Sequence, residues 1–266
     1  MYSRRTFVTS TALSLAAASS AHAQDACAVF TPARQTATTP QEALRLLQEG
    51  NERFVSGKTV NCDLMKQVHA TAHGQAPFAA IVGCIDSRVP PELIFDQRLG
   101  SIFTARIAGN FINTDILGSL EFSCKIVGAR AIVVLGHSDC GAIKGAIDQA
   151  KLGNLTEMLS HIEPAVAATK FEGKRTSKDK KLVQAVADTN AQLAARMILS
   201  RSPVLKEMAD KKEIVIVAAM NDIETGRVSF LHVSHTYIAR RAGHAGASEF
   251  YRQLPLGLRE AAAYHL

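Results

Sequence analysis

Three short runs of apolar residues constrain this chain more than anything else: "FAAIVGC" (78–84), "ARAIVVLGH" (129–137) and "EIVIVAAMND" (213–222). None alternates with polar residues. A strand with one wet face must alternate, so runs of this length and β-branched content predict strands covered on both faces. "SIFTARIAGN" (101–110) reads as another strand. "GRVSFLHV" (226–233), following the turn "NDIETG", reads as an antiparallel hairpin partner. Helical patterns fill the gaps. Thr39-Pro40-Gln41-Glu42 opens one as an N-cap, a first-turn proline and a capping-box glutamate. Residues 114–128 form another, closed by Gly128; a third starts at "GAIKGAIDQA", and 155–210 is helical with breaks at Pro164 and Pro203. Strands alternating with helices predict an α/β fold: a central, mostly parallel sheet of four strands plus an antiparallel edge strand, flanked by helices.

The first 23 residues follow a different logic. "MYSRRTFVTSTALSLAAASSAHA" has a basic start, a mildly apolar stretch and a small-x-small end, the layout of a bacterial export signal cleaved near Ala23. The paired Arg4 and Arg5 resemble the twin-arginine type, so a periplasmic location is expected. Residues 24–38 then read as a Thr/Pro-rich linker, 39–233 as the functional domain and 234–266 as a C-terminal extension. The formal net charge is +6, and loss of the signal's two arginines lowers it to +4. The densest basic stretch, "KFEGKRTSKDKK" (170–181), contains Glu172 and Asp179 and reads as a solvated loop and helix start. Nucleic acid is therefore not an expected partner. No interior segment is apolar enough to span a bilayer, so no membrane association is expected once the signal is removed.

The chemistry collects where strands end. In open parallel sheets ligands gather at the carboxyl ends of the strands. Cys84 follows one apolar run; His137 and Cys140 follow another, in "VVLGHSDCG". Two thiolates and an imidazole supply three ligands to a tetrahedral Zn²⁺ and leave a fourth position for solvent, as in catalytic zinc sites. A zinc ion neutralised by two thiolates acidifies its water less than one held by three histidines. Asp86, two residues beyond Cys84, is placed to accept a hydrogen bond from the nucleophile, and Arg88 to hold that carboxylate by a bidentate pair.

"CIDSRVPPE", "RIAGN" and "VVLGHSDCGAIKGA" together resemble the β-class carbonic anhydrases, and the resemblance runs from about residue 49 to about 233. It implies Cys84, His137 and Cys140 as ligands of one Zn²⁺ per subunit, and Asp86 and Arg88 as a catalytic dyad. It further implies Gln75 and the apolar Phe103 on the substrate side, with Gly141 kept after the second cysteine. The implied reaction is reversible hydration of carbon dioxide to bicarbonate by zinc-bound hydroxide. The implied assembly is a homodimer or higher even oligomer with sites at the subunit interface. Phe122 stands where many members carry tyrosine, so it would join Phe103 in an apolar wall. Ile107 and Asn221 also depart from the family pattern, without touching the metal or the dyad.

Two rival readings stand beside this one: hydrolysis of a carbon dioxide analogue such as carbonyl sulfide or carbon disulfide, and a non-catalytic zinc module. Presence of both Asp86 and Arg88 counts against the second. Of the remaining cysteines, Cys124 reads as a small core residue. Cys27 and Cys62 read as two independent thiols, with a disulfide as the alternative. His161, His232, His235, His244 and His265 read as surface or tail residues without partners, and a proton carrier is sought among them or at His69 and His73.

Overall fold

The computed structural model describes residues 27–231. The export signal with its cleavage point, His232 and the extension 234–266 fall outside the described residues. Helices α1 (Pro32–Ala37), α2 (Pro40–Val55) and α3 (Leu64–Thr71) lead into β1 (Ala79–Gly83), followed by α4 (Pro91–Ile94) and β2 (Ile102–Arg106). Then come α5 (Thr114–Glu121) with a π-turn over Phe122–Ile126, β3 (Ala131–His137), α6 (Gly141–Ile147), α7 (Gly153–Ser160) and α8 (Glu163–Ala168). The long α9 (Lys180–Arg201), α10 (Pro203–Asp210), β4 (Val215–Asn221) and β5 (Val228–Leu231) complete the described chain.

The five strands form one sheet in the order β2-β1-β3-β4-β5. The first four run parallel, and β5 pairs antiparallel with β4, Ala219 opposite Phe230. Every residue of β1 and β3 is buried, as unbroken apolar runs require. Side-chain alternation divides them between two cores. Ala80, Val82, Ile132 and Val134 face α9, whose buried stripe includes Val186, Ala187, Ala191, Ala194 and Ile198. Ala79, Ile81, Ala131, Val133 and Leu135 face Phe30, Ala43, Leu47 and Phe95. The small residues of the α9 stripe let that helix lie close to the sheet, and its i, i+4 spacing keeps them on one face.

Two elements of secondary structure differ from the sequence expectation. Part of the expected linker folds: Thr31 caps α1, Pro32 takes the first turn, and the buried Gln35 donates from Nε2 to the carbonyls of Pro77 (2.7 Å) and Val127 (3.0 Å). Composition alone suggested a loop; a single amide anchoring two carbonyls of the core overrides it. The second difference is the expected helix 114–128, which widens at its end, where the N–H of Val127 reaches back to Phe122 O at 3.0 Å. That wider turn leaves Phe122 and Ile126 exposed (51% and 73%) while Cys124 stays buried. Gly128 closes the segment at φ +99°, a conformation that favours glycine.

Cys27 and Cys62 are joined in a disulfide across 35 positions. This corrects the reading of two separate thiols; spacing alone carries no information on which loops meet. No helix of the described residues is long and apolar enough to cross a membrane.

Candidate metal centre

Strand order decides where the site lies. The chain passes from β1 outward to β2, then returns to place β3 on the opposite side of β1. Loops leaving β1 and β3 therefore diverge, and the crevice between them lies at the carboxyl ends of these two neighbouring strands. Cys84 is the first residue beyond β1, His137 the last of β3, and Cys140 the N-cap of α6. Their ligand atoms all lie within 4.8 Å of one another, and all three residues are buried.

Each donor is held from behind. His137 Nδ1 lies 2.9 Å from the carbonyl oxygen of Ser138. A carbonyl only accepts, so Nδ1 carries the proton and the Nε2 lone pair is free. Nε2 is buried and makes no hydrogen bond, a costly arrangement for a polar atom unless something electron-poor meets it. Cys84 Sγ receives the N–H of Gly109 at 3.3 Å. The main-chain N–H groups of Ile143 and Ala142, at the start of α6, favour the thiolate of Cys140. The two sulfurs also govern each other. A hydrogen bond from Cys140 lowers the Cys84 thiol to about 4, against the cost of burial. Cys140 is correspondingly pushed up, first by its bond to Cys84 and then by burial. Two adjacent buried sulfurs with a bare imidazole nitrogen form the donor set of a soft-ligated divalent cation, and zinc suits it.

Asp86 and Arg88 meet beside this cluster. Arg88 donates from Nε to Asp86 Oδ1 at 2.9 Å and from Nη2 to Oδ2 at 2.7 Å, and its main-chain N–H adds a third bond at 3.0 Å. The guanidinium holds the Asp86 carboxyl well below the usual carboxylate range, despite some burial. Asp86 Oδ2 sits 3.9 Å from His137 Nε2, near the ligands yet turned toward the arginine. Across the mouth, Asp139 pairs with Lys144, and Gly141 leaves open space where a side chain would project.

The remaining site candidates lie elsewhere in the same chain. Gln75 precedes β1 and packs beside Gly100, ahead of β2. It is therefore at the amino end of the sheet, on the order of 15 Å from Cys84 at 3.3 Å per strand residue. Phe103 pairs in register with Ala80, not with Cys84, and meets Phe122 edge-on at 6.2 Å between ring centres. Both line a groove with Thr104, Thr114 and Gly118, away from the metal ligands of their own chain. His69 is an exposed residue of α3 and His73 is exposed just beyond it, on that same side. His161 does have a partner: its ring stacks on Phe111 at 4.4 Å.

Two residues went unnoticed in the sequence. Arg106, at the end of β2, donates from Nε to Cys84 O (2.8 Å) and from Nη2 to Asp86 O (2.6 Å). The register that sets Arg106 opposite Gly83 puts it there, and the alternation of β2 gave no hint of it. Asn190, mid-helix in α9, is the other.

A buried Cys-His-Cys donor set at the switch point of a mostly parallel sheet defines a metal-dependent α/β enzyme. A family model described as "Carbonic anhydrase" matches residues 79–228. Carbonic anhydrase 2 of Mycobacterium tuberculosis is 34% identical over 196 residues, 71% of this chain and 92% of that protein. The carbonic anhydrase of Pseudomonas aeruginosa is 31% identical over 176 residues, 59% of this chain and 74% of its own. Among solved structures, a tetrameric β-carbonic anhydrase of Sordaria macrospora is similar with TM-score 0.52 and 26% identity, over 63% of this chain and 90% of that one. A Coccomyxa β-carbonic anhydrase shares the fold with TM-score 0.60 at 21% identity, over 80% and 99% of the two chains. The chain belongs to the β-class carbonic anhydrase family, and it is a carbonic anhydrase whose metal, in this family, is zinc.

Proposed function

We propose that Cys84, His137 and Cys140 hold one zinc ion per chain and that Asp86 and Arg88 form the working dyad of reversible carbon dioxide hydration. The observation that carries this reading is the bidentate Asp86–Arg88 pair set 3.9 Å from the free His137 Nε2. When bound, zinc supplies a Lewis acid that brings the pKa of a water molecule toward neutrality. The protein's own groups supply orientation. Arg88 keeps Asp86 ionised and therefore an acceptor only. A carboxylate so held takes a hydrogen bond from the nucleophilic oxygen, aiming its remaining lone pair at the carbon of the substrate. It also discriminates in favour of a nucleophile that still carries a proton. Because Arg88 engages both oxygens of Asp86, the carboxylate is drawn toward the arginine rather than into the ligand cluster and would not itself be a ligand of a bound zinc. Gly141 keeps the approach clear.

Gln75, Phe103 and Phe122 sit at the far end of the sheet from their own metal ligands. We infer that they line the site of a second copy of this chain, in a homodimer or a larger even assembly. Phe103 and Phe122 would give carbon dioxide an apolar wall, and Gln75 an amide to bond an oxygen of the product. An exported, periplasmic enzyme is also proposed, on the signal-like residues 1–23 and on the Cys27–Cys62 pairing, which suits an oxidising compartment.

The test is zinc content and carbon dioxide hydration for the wild type and Asp86→Asn. The variant is expected to keep its zinc and lose at least about a hundredfold in kcat, the scale of a lost acid–base or orienting group. Unchanged turnover would remove Asp86 from the mechanism; a wild type without zinc would remove the metal centre.

A further inference from the structure

Asn190 is a polar residue on the buried stripe of α9, between Ala187 and Ala191, with 4% of its surface exposed. A stripe that otherwise packs on the sheet through apolar side chains has no evident use for an amide. Its Nδ2 donates to the carbonyl of Gly109 at 2.7 Å, 81 positions away, and Gly109 in turn donates its N–H to Cys84 Sγ at 3.3 Å. A side chain from the helix layer is thus joined through one glycine to the first sulfur of the ligand cluster.

Gly109 is suited to relay position. It adopts φ +78°, and a Cβ there would lie 2.5 Å from Ile162 Cδ1 and 3.3 Å from Ala142 Cβ. The N–H of Asn110 closes this turn on the Ile107 carbonyl at 2.9 Å, and the left-handed conformation it requires of Gly109 presents the glycine N–H to the sulfur. Asn190 grips the carbonyl of the same residue. A hydrogen bond to a thiolate withdraws electron density from sulfur, so its geometry sets how strongly that sulfur donates to a metal.

We propose that Asn190 is a positioning residue of the metal centre, acting through Gly109 to hold the N–H···S bond on Cys84. The proposal rests on the assignment of Cys84, His137 and Cys140 as metal ligands and extends it to a helix that touches none of them with a ligand atom. Without the Asn190 amide, the peptide that carries the Gly109 carbonyl loses its anchor, the turn relaxes about the φ and ψ of Gly109, the N–H bond to Cys84 lengthens, and the sulfur becomes a more electron-rich but less well placed ligand.

The experiment compares the wild type, Asn190→Ala and Ile198→Ala as zinc and as cobalt(II) proteins. Ile198 is buried on the same helix two turns on and serves as a control for general loosening of α9. In Asn190→Ala, zinc is expected to pass to a chromophoric chelator about tenfold faster, the usual scale for loss of an outer-sphere partner. The thiolate-to-cobalt charge-transfer band is expected to move to longer wavelength. Ile198→Ala should lower the melting temperature with the band unmoved. A band that stays in place in Asn190→Ala, or moves equally in Ile198→Ala, overturns the proposal. Should Asn190→Ala fail to fold, Asn190→Ser, whose side chain is too short to span the gap to the Gly109 oxygen, carries the same expectation. A wild type that takes up neither metal overturns the ligand assignment itself, and this proposal with it.

Discussion

Arg106 and Asp86 meet through the backbone rather than through their charges: Nη2 of Arg106 donates to the main-chain oxygen of Asp86 at 2.6 Å. Nε of the same guanidinium donates to the Cys84 carbonyl at 2.8 Å, so one planar group spans the turn that separates Cys84 from Asp86, the proposed ligand and the proposed catalytic carboxylate. A guanidinium fork keeps two donors at fixed spacing, which an ammonium cannot do. Arg106→Lys is therefore expected to keep its zinc while kcat falls about tenfold or more, because the carboxylate is displaced relative to the nucleophile. Arg106→Gln should fall further. Metal analysis alongside stopped-flow hydration separates displacement from metal loss, and a variant with wild-type kcat would show that the turn holds its shape unaided.

Placement of Gln75, Phe103 and Phe122 at the amino end of the sheet predicts that activity depends on assembly. A chain carrying Cys84→Ser lacks a working metal site but retains an intact Gln75 and Phe103. A chain carrying Gln75→Ala and Phe103→Ala retains the Cys84, His137 and Cys140 cluster but lacks the wall it is proposed to offer to its neighbour. Each variant alone should be strongly impaired. Co-expression of the two should recover activity, because one site of each mixed dimer is built wholly from unmutated residues. Recovery no greater than the sum of the separate activities would place these residues outside the partner's site.

What the sequence made legible follows from how local each signal is. Cys84, His137 and Cys140 were visible because Cys84 and His137 directly terminate unmistakable apolar runs and Cys140 follows three residues after His137, and a strand end is a position that needs no knowledge of the rest of the fold. The parallel sheet was visible for the same reason, and its antiparallel edge followed from the turn at 221–226. Arg106 and Asn190 were not visible. Their roles depend on strand register and helix packing, through bonds spanning 22 and 20 positions for Arg106 and 81 for Asn190. Helix α1 was hidden because its stability comes from the contacts of Gln35 with distant carbonyls, not from its own composition. The sequence pattern also gave no sign that Phe103 and Phe122 lie far from the Cys84 of their own chain; position along a strand, not side-chain type, decides that.

The free cysteines should separate by reactivity. Among the described residues these are Cys84, Cys124 and Cys140, all buried. Burial pushes the Cys124 thiol up to about 12, so at pH 8 its reactive thiolate is a negligible fraction. In the native zinc protein, iodoacetamide is expected to label none of the three. After removal of zinc by a chelator, Cys84 should be labelled ahead of Cys124, as mass spectrometry of the peptides would show. The same shift has a stability consequence. A thiol raised from 9.0 in the unfolded chain to about 12 in the folded one binds its proton more tightly when folded. Its contribution is intact below pH 9 and is lost as pH climbs from 9 toward 12. Cys124→Ala should flatten the alkaline limb of the melting curve; early labelling of Cys124 in the native protein would contradict the burial on which both expectations rest.

The Cys27–Cys62 bridge predicts a separation between stability and catalysis. It closes a loop spanning 35 positions, tying the chain just ahead of α1 to the segment that enters α3. In the chain-entropy account, a cross-link of that span limits the unfolded ensemble by about 3–4 kcal/mol. Between the two cysteines lies α2, whose Leu47 and Ala43 complete the core on one face of the sheet. Its buried Asn51 bonds the carbonyls of Ile94 and Gly226. Opening the bridge therefore weakens the attachment of a helix that helps form the core, yet touches neither Cys84 nor Asp86. Cys27→Ser with Cys62→Ser, or reduction of the wild type at a reductant concentration that leaves zinc bound, should lower the melting temperature by several degrees. Hydration at 25 °C should be within about twofold of wild type, since the folded state is still the dominant one. Loss of activity at full zinc content and unchanged melting temperature would mean that the bridge serves the site directly.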